Sequence, residues 1–317
     1  MSTEDIVVSS STVCANCGKE GANNVCAKCK SVRYCNAVCK KVHKKKHKKD
    51  CEEFIRLATE KHNEELKIAA ELHDEKLFKQ PPPAEDCPIC FQRLPFLHTG
   101  SRYYLCCGKT VCSGCRYAPQ YDNQGNEVEK KCPFCRSPHP ESDEEIVERT
   151  IKRVELDDPI AIHNRGNYYF LRQYGFPQDY TKALELWHRA ADLGLSAAYG
   201  RIGYAYDHGQ GVEVDKEKAE HYYELAAMAG DVLARFVLGI MEGRACNYDR
   251  ALKHWMIAVK GGNVQSLDAI KHLYSDGGAT KEDYMKALQS YQTYLSEITS
   301  SQRDKAAAFS SVEYRYY

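Results

Sequence analysis

Cysteine pairs separated by two residues dominate the first half of the chain, and this spacing is typical of metal binding. Fifteen of the 16 cysteines lie between Cys14 and Cys135. A C-x2-C pair lets two sulfur atoms hold one ion from a single tight turn. The N-terminal residues lack the pattern of a signal peptide, and no segment approaches the ~20 apolar residues that span a bilayer. We therefore expect an intracellular protein, cytoplasmic or nuclear and without membrane contact, in which dense cysteines bind zinc rather than form disulfides.

The first group of potential ligands lies within residues 12–51. Its members are seven cysteines and one histidine: Cys14, Cys17, Cys26, Cys29, Cys35, Cys39, His47 and Cys51. Eight ligands are enough for two tetrahedral zinc ions. Forty residues bury little apolar surface, so the metal must supply folding free energy, about 10–16 kcal/mol per structural site. The spacing of Cys35 with Cys39, and of His47 with Cys51, favours a helix.

The second group lies within residues 87–136 and consists of eight cysteines: Cys87, Cys90, Cys106, Cys107, Cys112, Cys115, Cys132 and Cys135. Three of the pairs have the C-x2-C spacing, whereas Cys106 and Cys107 are adjacent. Two thiolates on neighbouring residues can share one ion, and His98 is the alternative ligand if one of them does not bind. With two ions in each group, we expect about four zinc ions in the chain.

The first group resembles the MYND zinc finger over the whole module, including Tyr34 before Cys35. The resemblance implies interleaved sites, with one ion held by Cys14, Cys17, Cys35 and Cys39 and the other by Cys26, Cys29, His47 and Cys51. It leaves His43, which is close enough in sequence to reach a metal, as a surface histidine. Proteins of this family bind short proline-containing peptides near the helix of the finger. Lys44 stands where the family usually has an aromatic residue.

The second group resembles the RING finger, a cross-braced family that recruits a ubiquitin-conjugating enzyme loaded with ubiquitin. The resemblance implies one site formed by Cys87, Cys90, Cys112 and Cys115, and another formed by Cys106, Cys107, Cys132 and Cys135. It also implies contacts with the conjugating enzyme through Ile89, Pro133 and Arg136. Lys109 replaces the family's usual second-pair histidine, and Tyr117 lies near the family's aromatic position after the third pair.

Residues 52–86 form a linker between the two groups. Charged residues with apolar positions at helical spacing predict a long helix, which Pro81–Pro83 must end. The lysine-rich run at 40–49 could bind phosphate or act as a nuclear localisation signal. We interpret it as the solvated face of the first zinc module, because a basic run alone is a weak signal and the net charge of the chain is zero. The partners are therefore expected to be proteins rather than nucleic acids.

Residues 141–300 contain repeats with a period in the mid-thirties, which indicates a helical solenoid. Equivalent alanines, Ala183, Ala219, Ala251 and Ala287, each precede an aromatic residue by four positions. Four residues before these alanines stand residues suited to N-cap the helices: Asp179, Asp215, Asn247 and Asp283. The second unit closely resembles a Sel-one-like repeat, a relative of the tetratricopeptide repeat. Gly166 and Gly203 are expected to let paired helices approach closely, and the fourth unit is expected to cap the array. The tail, residues 301–317, lacks periodicity and is predicted to be disordered.

The sequence thus predicts a multidomain protein with two small zinc-stabilised modules followed by an all-α helical-repeat solenoid. The combination favours a modular adaptor that acts as a RING-type ubiquitin ligase. The central module would recruit the conjugating enzyme, and the repeats would hold a substrate or client protein near it. The alternative is a non-enzymatic scaffold in which both fingers are structural modules, since a fold does not fix a function.

Overall fold

The computed structural model describes residues 12–317 except 97, 122, 123, 125, 127, 129 and 130, and it gives only the backbone of residue 98. It divides into two compact units, one within residues 1–75 and one within residues 76–317. Among the described residues, no helix combines the length and the apolar character that crossing a membrane requires.

The first unit has little secondary structure around its sulfur atoms. Strand β1 (Asn24–Val25) pairs with strand β2 (Arg33–Tyr34) in an antiparallel ribbon, and helix α1 (Ala37–Leu77) follows. The buried residues that pack together are Cys14, Ala22, Cys26, Cys29, Tyr34 and Cys51. Cysteines make up most of this cluster, so the fold of the unit depends on what these sulfur atoms bind.

Helix α1 is a single 41-residue helix that begins inside the first module and reaches Leu77. The predicted linker helix therefore exists, but it starts well before residue 52. Side chains from 52 to 73 are exposed, and pairs such as Arg56 with Glu60, at 2.9 Å, support the helix along its surface. The helix ends just before Pro81–Pro83, as the missing N–H of proline requires.

The central cysteine module opens the second unit. Strands β3 (Ser101–Tyr104) and β4 (Lys109–Cys112) form an antiparallel hairpin in which Tyr104 is opposite Lys109. A short 3-10 helix (His98–Gly100) precedes the hairpin, and helix α2 (Ser113–Tyr117) follows it.

The repeat region consists of helices that pack in consecutive pairs. They are α3 (Asp143–Glu155), α4 (Pro159–Leu171), α5 (Tyr180–Asp192), α6 (Ser196–His208), α7 (Lys216–Met228), α8 (Val232–Arg244), α9 (Tyr248–Lys260), α10 (Val264–Ser275) and α11 (Lys281–Ile298). The predicted repeat alanines are fully buried, and Trp187, Tyr223 and Trp255 pack in the cores beside them. These helix pairs confirm the predicted solenoid.

The helix caps follow the predicted pattern in two of the four repeats, and Asn247 precedes α9 without making a side-chain capping hydrogen bond within the described part of the chain. Asp179 and Asp215 accept hydrogen bonds from the third backbone N–H of α5 and α7. The expected cap Asp283 lies instead in the first turn of α11. There it completes a capping box whose N-cap residue is Thr280. The prediction for Asp283 was wrong because Thr280 offers a hydroxyl three residues earlier, which starts the helix sooner.

Glycines at the helix–helix contacts allow aromatic side chains to touch the backbone. A Cβ atom on Gly166 would lie 2.6 Å from Nε1 of Trp187, and one on Gly203 would lie 3.0 Å from the ring of Tyr223. The same arrangement recurs at Gly239, where a Cβ atom would lie 2.3 Å from Nε1 of Trp255. The predicted close approach of the paired helices is therefore observed.

Replacing Gly239 with alanine is expected to lower the free energy of unfolding of the second unit by about 1–3 kcal/mol, because the new methyl group overlaps a buried indole. Gly243→Ala is the matched control on the same helix. Its nearest contact would be 3.5 Å, so better helix propensity should make it neutral or stabilising by up to ~1 kcal/mol. Urea unfolding followed by circular dichroism checks the pair. Equal stability of the two variants would contradict this account of the helix contact.

The C-terminal tail differs from its prediction as a disordered segment. It forms helices α12 (Ser301–Phe309) and α13 (Ser311–Tyr314), which pack against the central module. Arg303, Tyr314 and Tyr316 are fully buried. Short aperiodic segments have little intrinsic helix stability. Contacts with residues about 200 positions earlier in the chain supply the order, and no local sequence pattern reveals such contacts.

Candidate metal centres

The structure brings the predicted ligands together as four clusters among the residues it describes. The clusters are Cys14, Cys17, Cys35 and Cys39; Cys26, Cys29, His47 and Cys51; Cys87, Cys90, Cys112 and Cys115; and Cys106, Cys107, Cys132 and Cys135. In each cluster all ligand atoms lie within 4.8 Å of one another. These groupings are the interleaved and cross-braced sets that the two family resemblances imply.

The sulfur separations fit tetrahedral zinc. A Zn–S bond of about 2.3 Å places tetrahedral sulfur atoms ~3.8 Å apart. The Sγ atoms of Cys26 and Cys51 are 3.8 Å apart, and those of Cys90 and Cys112 are 3.7 Å apart. Both distances are far longer than the ~2.05 Å of a disulfide. The donor set and its spacing therefore suit a structural zinc ion at each cluster.

The C-x2-C turns share one backbone geometry at four places in the described chain. The residue after the second cysteine has a positive φ, and its N–H donates to the carbonyl oxygen of the first cysteine. These residues are Gly18, Lys30, Phe91 and Arg136, with N–O distances of 2.8–3.0 Å. The turn holds both thiols on one side of a tight loop, where they can bind the same ion.

In the first module, His47 and His43 take different roles. Nε2 of His47 lies 3.4 Å from Sγ of Cys29, within the second cluster. His43 stacks on His47 at a ring distance of 5.8 Å, and its Nδ1 lies 3.2 Å from the hydroxyl of Tyr34. His43 therefore stands beside the ligand instead of joining the cluster, as expected from the sequence, but it is half-buried and not a surface histidine.

The adjacent pair Cys106–Cys107 lies in the turn of the β3–β4 hairpin. Sγ of Cys106 is 3.4 Å from Sγ of Cys135, and Sγ of Cys107 is 3.8 Å from Sγ of Cys132. The N–H groups of Cys107 and Gly108 both donate to the carbonyl oxygen of Tyr104. This tight turn lets both neighbouring thiols reach one cluster. The side chain of His98, the alternative ligand, lies outside the described part of the structure.

The pKa values of the thiols in the central module are shifted in both directions, and hydrogen bonds from Cys112 and Cys115 lower that of Cys87. Burial, followed by the charges and hydrogen bonds of neighbouring thiols, raises the pKa of Cys107 to about 11. Hydrogen bonds from Cys112 and Cys87, followed by burial, raise the pKa of Cys115. Four thiolates repel one another in a small buried volume, and a divalent cation removes that penalty. Metal binding therefore displaces protons from these thiols.

Helix α2 carries Cys115 and is covered by the chain's own tail. The guanidinium of Arg303 donates to the carbonyl oxygens of Arg93 and Ile298 at 2.9 and 2.7 Å. It also lies 4.0 Å from Sγ of Cys90. This places a buried positive charge beside a cysteine cluster that would be dianionic with zinc bound. Sequence reasoning missed Arg303, because only the three-dimensional contact connects it to Cys90.

The predicted contact residues for a conjugating enzyme have mixed exposure. Ile89 is 37% exposed, Pro133 is half-buried and Arg136 is exposed. In contrast, Tyr117 packs between Phe309 and Tyr314 of the tail, with ring centroids 5.2 and 5.6 Å away. The loops of the cysteine pairs are thus open to a partner, whereas the aromatic position of α2 is shielded.

The lysine run of the first module borders a groove of about 790 Å³ on the helix side of the finger. Lys40, Lys44 and Lys48 line it together with Tyr34 and Ile55. The lysines from 44 to 46 are exposed, as the interpretation of a solvated helix face predicts.

Comparison with known proteins identifies two of the modules. Residues 14–51 match the family model of the MYND finger. Residues 159–195 and 196–231 each match the model of the Sel1 repeat. Helices α4 and α5 fall in the first of these repeats, and α6 and α7 fall in the second.

The similarity to a curated relative covers only part of the chain. A curated relative is the ERAD-associated E3 ubiquitin-protein ligase component HRD3B of Arabidopsis thaliana, which is 29% identical over 103 residues. The match covers 32% of this chain and 16% of that protein, so the chain spans about a sixth of its relative's length.

Two solved structures show similarity at modest TM-scores. A Sel1 repeat protein from Oxalobacter formigenes is 30% identical, covers 49% of this chain and 64% of its own, and has a TM-score of 0.43. A protective antigen of uropathogenic Escherichia coli with an SLR fold is 22% identical, covers 63% of this chain and 44% of its own, and has a TM-score of 0.43. From the family models and the cysteine clusters together, the chain carries an N-terminal MYND finger, a second zinc-type cysteine module and a helical solenoid of Sel1 repeats.

Proposed function

We propose that this protein is a zinc-stabilised adaptor that acts as a RING-type ubiquitin ligase. The central module would recruit a loaded ubiquitin-conjugating enzyme, and the Sel1 repeats would hold the protein substrate. The observation that carries the proposal is the cross-braced pairing in residues 87–135, where the first cysteine pair joins the third and the second joins the fourth. This pairing is the ligand order that the RING resemblance implies.

The exposed loops of the module support recruitment of a partner. Ile89 lies between the first two cysteines, and the exposed Phe134 lies between the last two. Arg136 directly follows the last cysteine at a φ of +66°. An apolar centre with a neighbouring arginine is the composition that protein interfaces favour.

The contribution of such a module to the reaction is proximity. The amine of a substrate lysine would attack the thioester that joins ubiquitin to the conjugating enzyme. The C–S bond would break as the isopeptide bond forms, the enzyme's thiol would leave, and the amine would lose a proton. Holding both reactants on one chain raises their effective concentration, which is the whole of the catalytic effect proposed here.

The solenoid supplies a surface on which a substrate could be held. Helical repeat arrays bind proteins along extended faces. The curated relative is named as a component of an E3 ubiquitin-protein ligase. That similarity covers about a third of this chain and supports a role linked to ubiquitin transfer.

A non-enzymatic scaffold is the second candidate, and a specific contact favours it. Ser113, Gly114 and Arg116 of α2 are buried, and Arg116 stacks 4.2 Å from the ring of Tyr314. Its guanidinium also donates to the carboxylate of Glu313 at 3.0 Å. A conjugating enzyme would therefore meet the loops of the module but not the outer face of α2 while the tail is docked.

Replacing Ile89 with alanine is expected to reduce discharge of ubiquitin from a cognate conjugating enzyme at least about fivefold, because truncating an interface hot spot costs more than about 1 kcal/mol. Ile151→Ala is the matched control. Ile151 lies on α3 with nearly the same exposure, 36% against 37%, and outside the cysteine loops. Arg136→Ala should have a similar effect, whereas Arg172→Ala should have none.

Arg172 controls for the backbone as well as the side chain, because it is also exposed and has a φ of +55°. Alanine therefore carries the same left-handed strain at both arginine positions. Single-turnover discharge to free lysine measures the rates, and the zinc content of each variant reports its folding. Equal rates for Ile89→Ala and Ile151→Ala, with wild type active, would show that the predicted contact surface is wrong.

A further inference from the structure

A cavity of about 780 Å³ lies in the second unit between the proline segment and the turns of the repeats. Its walls are formed by residues 80–86, by the turns at 194–196 and 229–232, and by the end of α9. Cavities of this size hold small organic ligands or short peptide segments.

Arg235 of α8 lines this cavity and is the least satisfied charge found there. The residue is only 2% exposed, yet none of its three guanidinium nitrogens has a hydrogen-bond partner among the described residues. A buried cation without partners is strongly unfavourable. Such buried donors point to hydrogen-bond partners outside the chain, either ordered water or a ligand.

Arg235 differs from the residues at the equivalent position of the earlier repeat units. The glycines at the helix contacts, Gly166, Gly203 and Gly239, align successive units. Four residues before them stand Ile162, Tyr199 and Arg235. Ile162 is fully buried in the apolar core of its unit. The third unit thus places a guanidinium where an earlier one places an aliphatic side chain.

The N-terminus of α6 provides a second set of donors to the same cavity. Asp179, Asp215 and Asp231 cap α5, α7 and α8 with their carboxylates. The N-cap residue of α6 is Leu195, whose side chain makes no capping hydrogen bond in the described structure, and Leu195 and Ser196 line the cavity. The first backbone N–H groups of a helix attract anions.

The other charges of the cavity are paired or exposed. Arg93 binds Glu297 at 2.5 Å and donates to the carbonyl oxygen of Lys260 at 3.2 Å. Glu85 and Asp86 are exposed on the proline segment, where solvent screens their charges. Burial lowers the pKa of Arg235 to about 10, against the opposing effect of Glu224, so the group stays protonated at neutral pH.

We propose that this cavity binds the oxyanion group of a ligand, phosphate or carboxylate, with Arg235 as its counter-ion and the N-terminus of α6 as a second donor. A guanidinium presents paired N–H groups that match both kinds of oxyanion. The cavity is larger than one such group, and Leu195, Val232 and Ile257 supply apolar walls for the rest of the ligand. This site is independent of ubiquitin transfer by the central module.

Titration of the full zinc-loaded chain with inorganic phosphate and, separately, with acetate tests the proposal, with chloride at matched ionic strength as the reference. At least one of the two anions should bind more tightly than chloride. Arg235→Met should weaken that binding about tenfold or more, since a charge-assisted hydrogen bond is lost. Arg244→Met is the matched control, because Arg244 lies on the same helix and is exposed outside the cavity.

The pattern of binding assigns the ligand chemistry. Preference for phosphate points to a phosphoryl ligand, and preference for acetate points to a carboxylate. Equal affinity in Arg235→Met and wild type, or no binding of either anion, overturns the proposal. If Arg235→Met does not fold, the Nε–Hε resonance of Arg235 in the NMR spectrum of the wild-type chain tests the site instead. This resonance is assigned by its absence from the spectrum of Arg235→Lys. A shift on titration supports the site, and an unchanged resonance rejects it.

Discussion

Replacing Cys107 with serine is expected to lower the zinc content of the chain from about four ions to about three and to unfold the β3–β4 hairpin. A hydroxyl is a poor zinc ligand, and each structural site contributes about 10–16 kcal/mol to folding. Sγ of Cys107 lies 3.8 Å from Sγ of Cys132 in the cluster that also contains Cys106 and Cys135. Native mass spectrometry counts the ions directly.

Cys246→Ser is the matched control for this experiment. Cys246 lies in the loop before α9, is exposed and is absent from the four described clusters, so its variant should keep the wild-type zinc content. Cys106→Ser should behave like Cys107→Ser if both adjacent thiols bind the same ion. Loss of zinc in only one of these two variants would indicate that another group, such as His98, completes the site.

Replacing Arg303 with methionine is expected to detach the tail from the central module and to lower stability by about 3 kcal/mol. The guanidinium makes charge-assisted hydrogen bonds to the carbonyl oxygens of Arg93 and Ile298, each worth about 1.5–3 kcal/mol. Methionine fills similar space but leaves these buried acceptors unpaired. Hydrogen exchange should then show lower protection of the amides of α2, which packs directly against α12.

Arg315→Met provides the control within the same tail. Arg315 is exposed, and its Nε–H donates only to the carbonyl oxygen of Tyr317 at 2.7 Å. Its loss should change neither the protection of α2 nor the unfolding transition by more than about 0.5 kcal/mol. If the amides of α2 are equally protected in Arg303→Met and Arg315→Met, the tail is held by its aromatic contacts and not by the buried guanidinium.

The pairing of neighbouring cysteines could be predicted because local spacing carries the information. A C-x2-C pair specifies a tight turn, and the turns at Cys14, Cys26, Cys87 and Cys132 repeat the same backbone geometry. The order in which pairs combine came from the two family resemblances, since spacing alone does not tell which pairs share an ion. The repeat alanines and glycines were equally visible, because each unit repeats the same helix contact.

The parts that were not predicted depend on contacts between distant residues. Arg303 and Arg93 meet across 210 positions, and neither lies in a pattern that suggests burial. Arg235 was missed for a different reason, since a charged residue within a helical repeat ordinarily faces solvent. Only its burial and the absence of partners among the described residues reveal it as unusual.

The rate of ubiquitin discharge in the presence of the wild-type chain decides whether the protein is a ubiquitin ligase or a non-enzymatic scaffold. The zinc-loaded protein is added to a panel of conjugating enzymes that carry thioester-linked ubiquitin, and release to free lysine is timed. The proposed ligase function predicts that at least one enzyme discharges faster, and that Ile89→Ala reduces this discharge at least about fivefold while Ile151→Ala does not. If a chain with intact zinc content and folding accelerates discharge from none of the enzymes, the ligase function is contradicted. The non-enzymatic scaffold is then the remaining candidate.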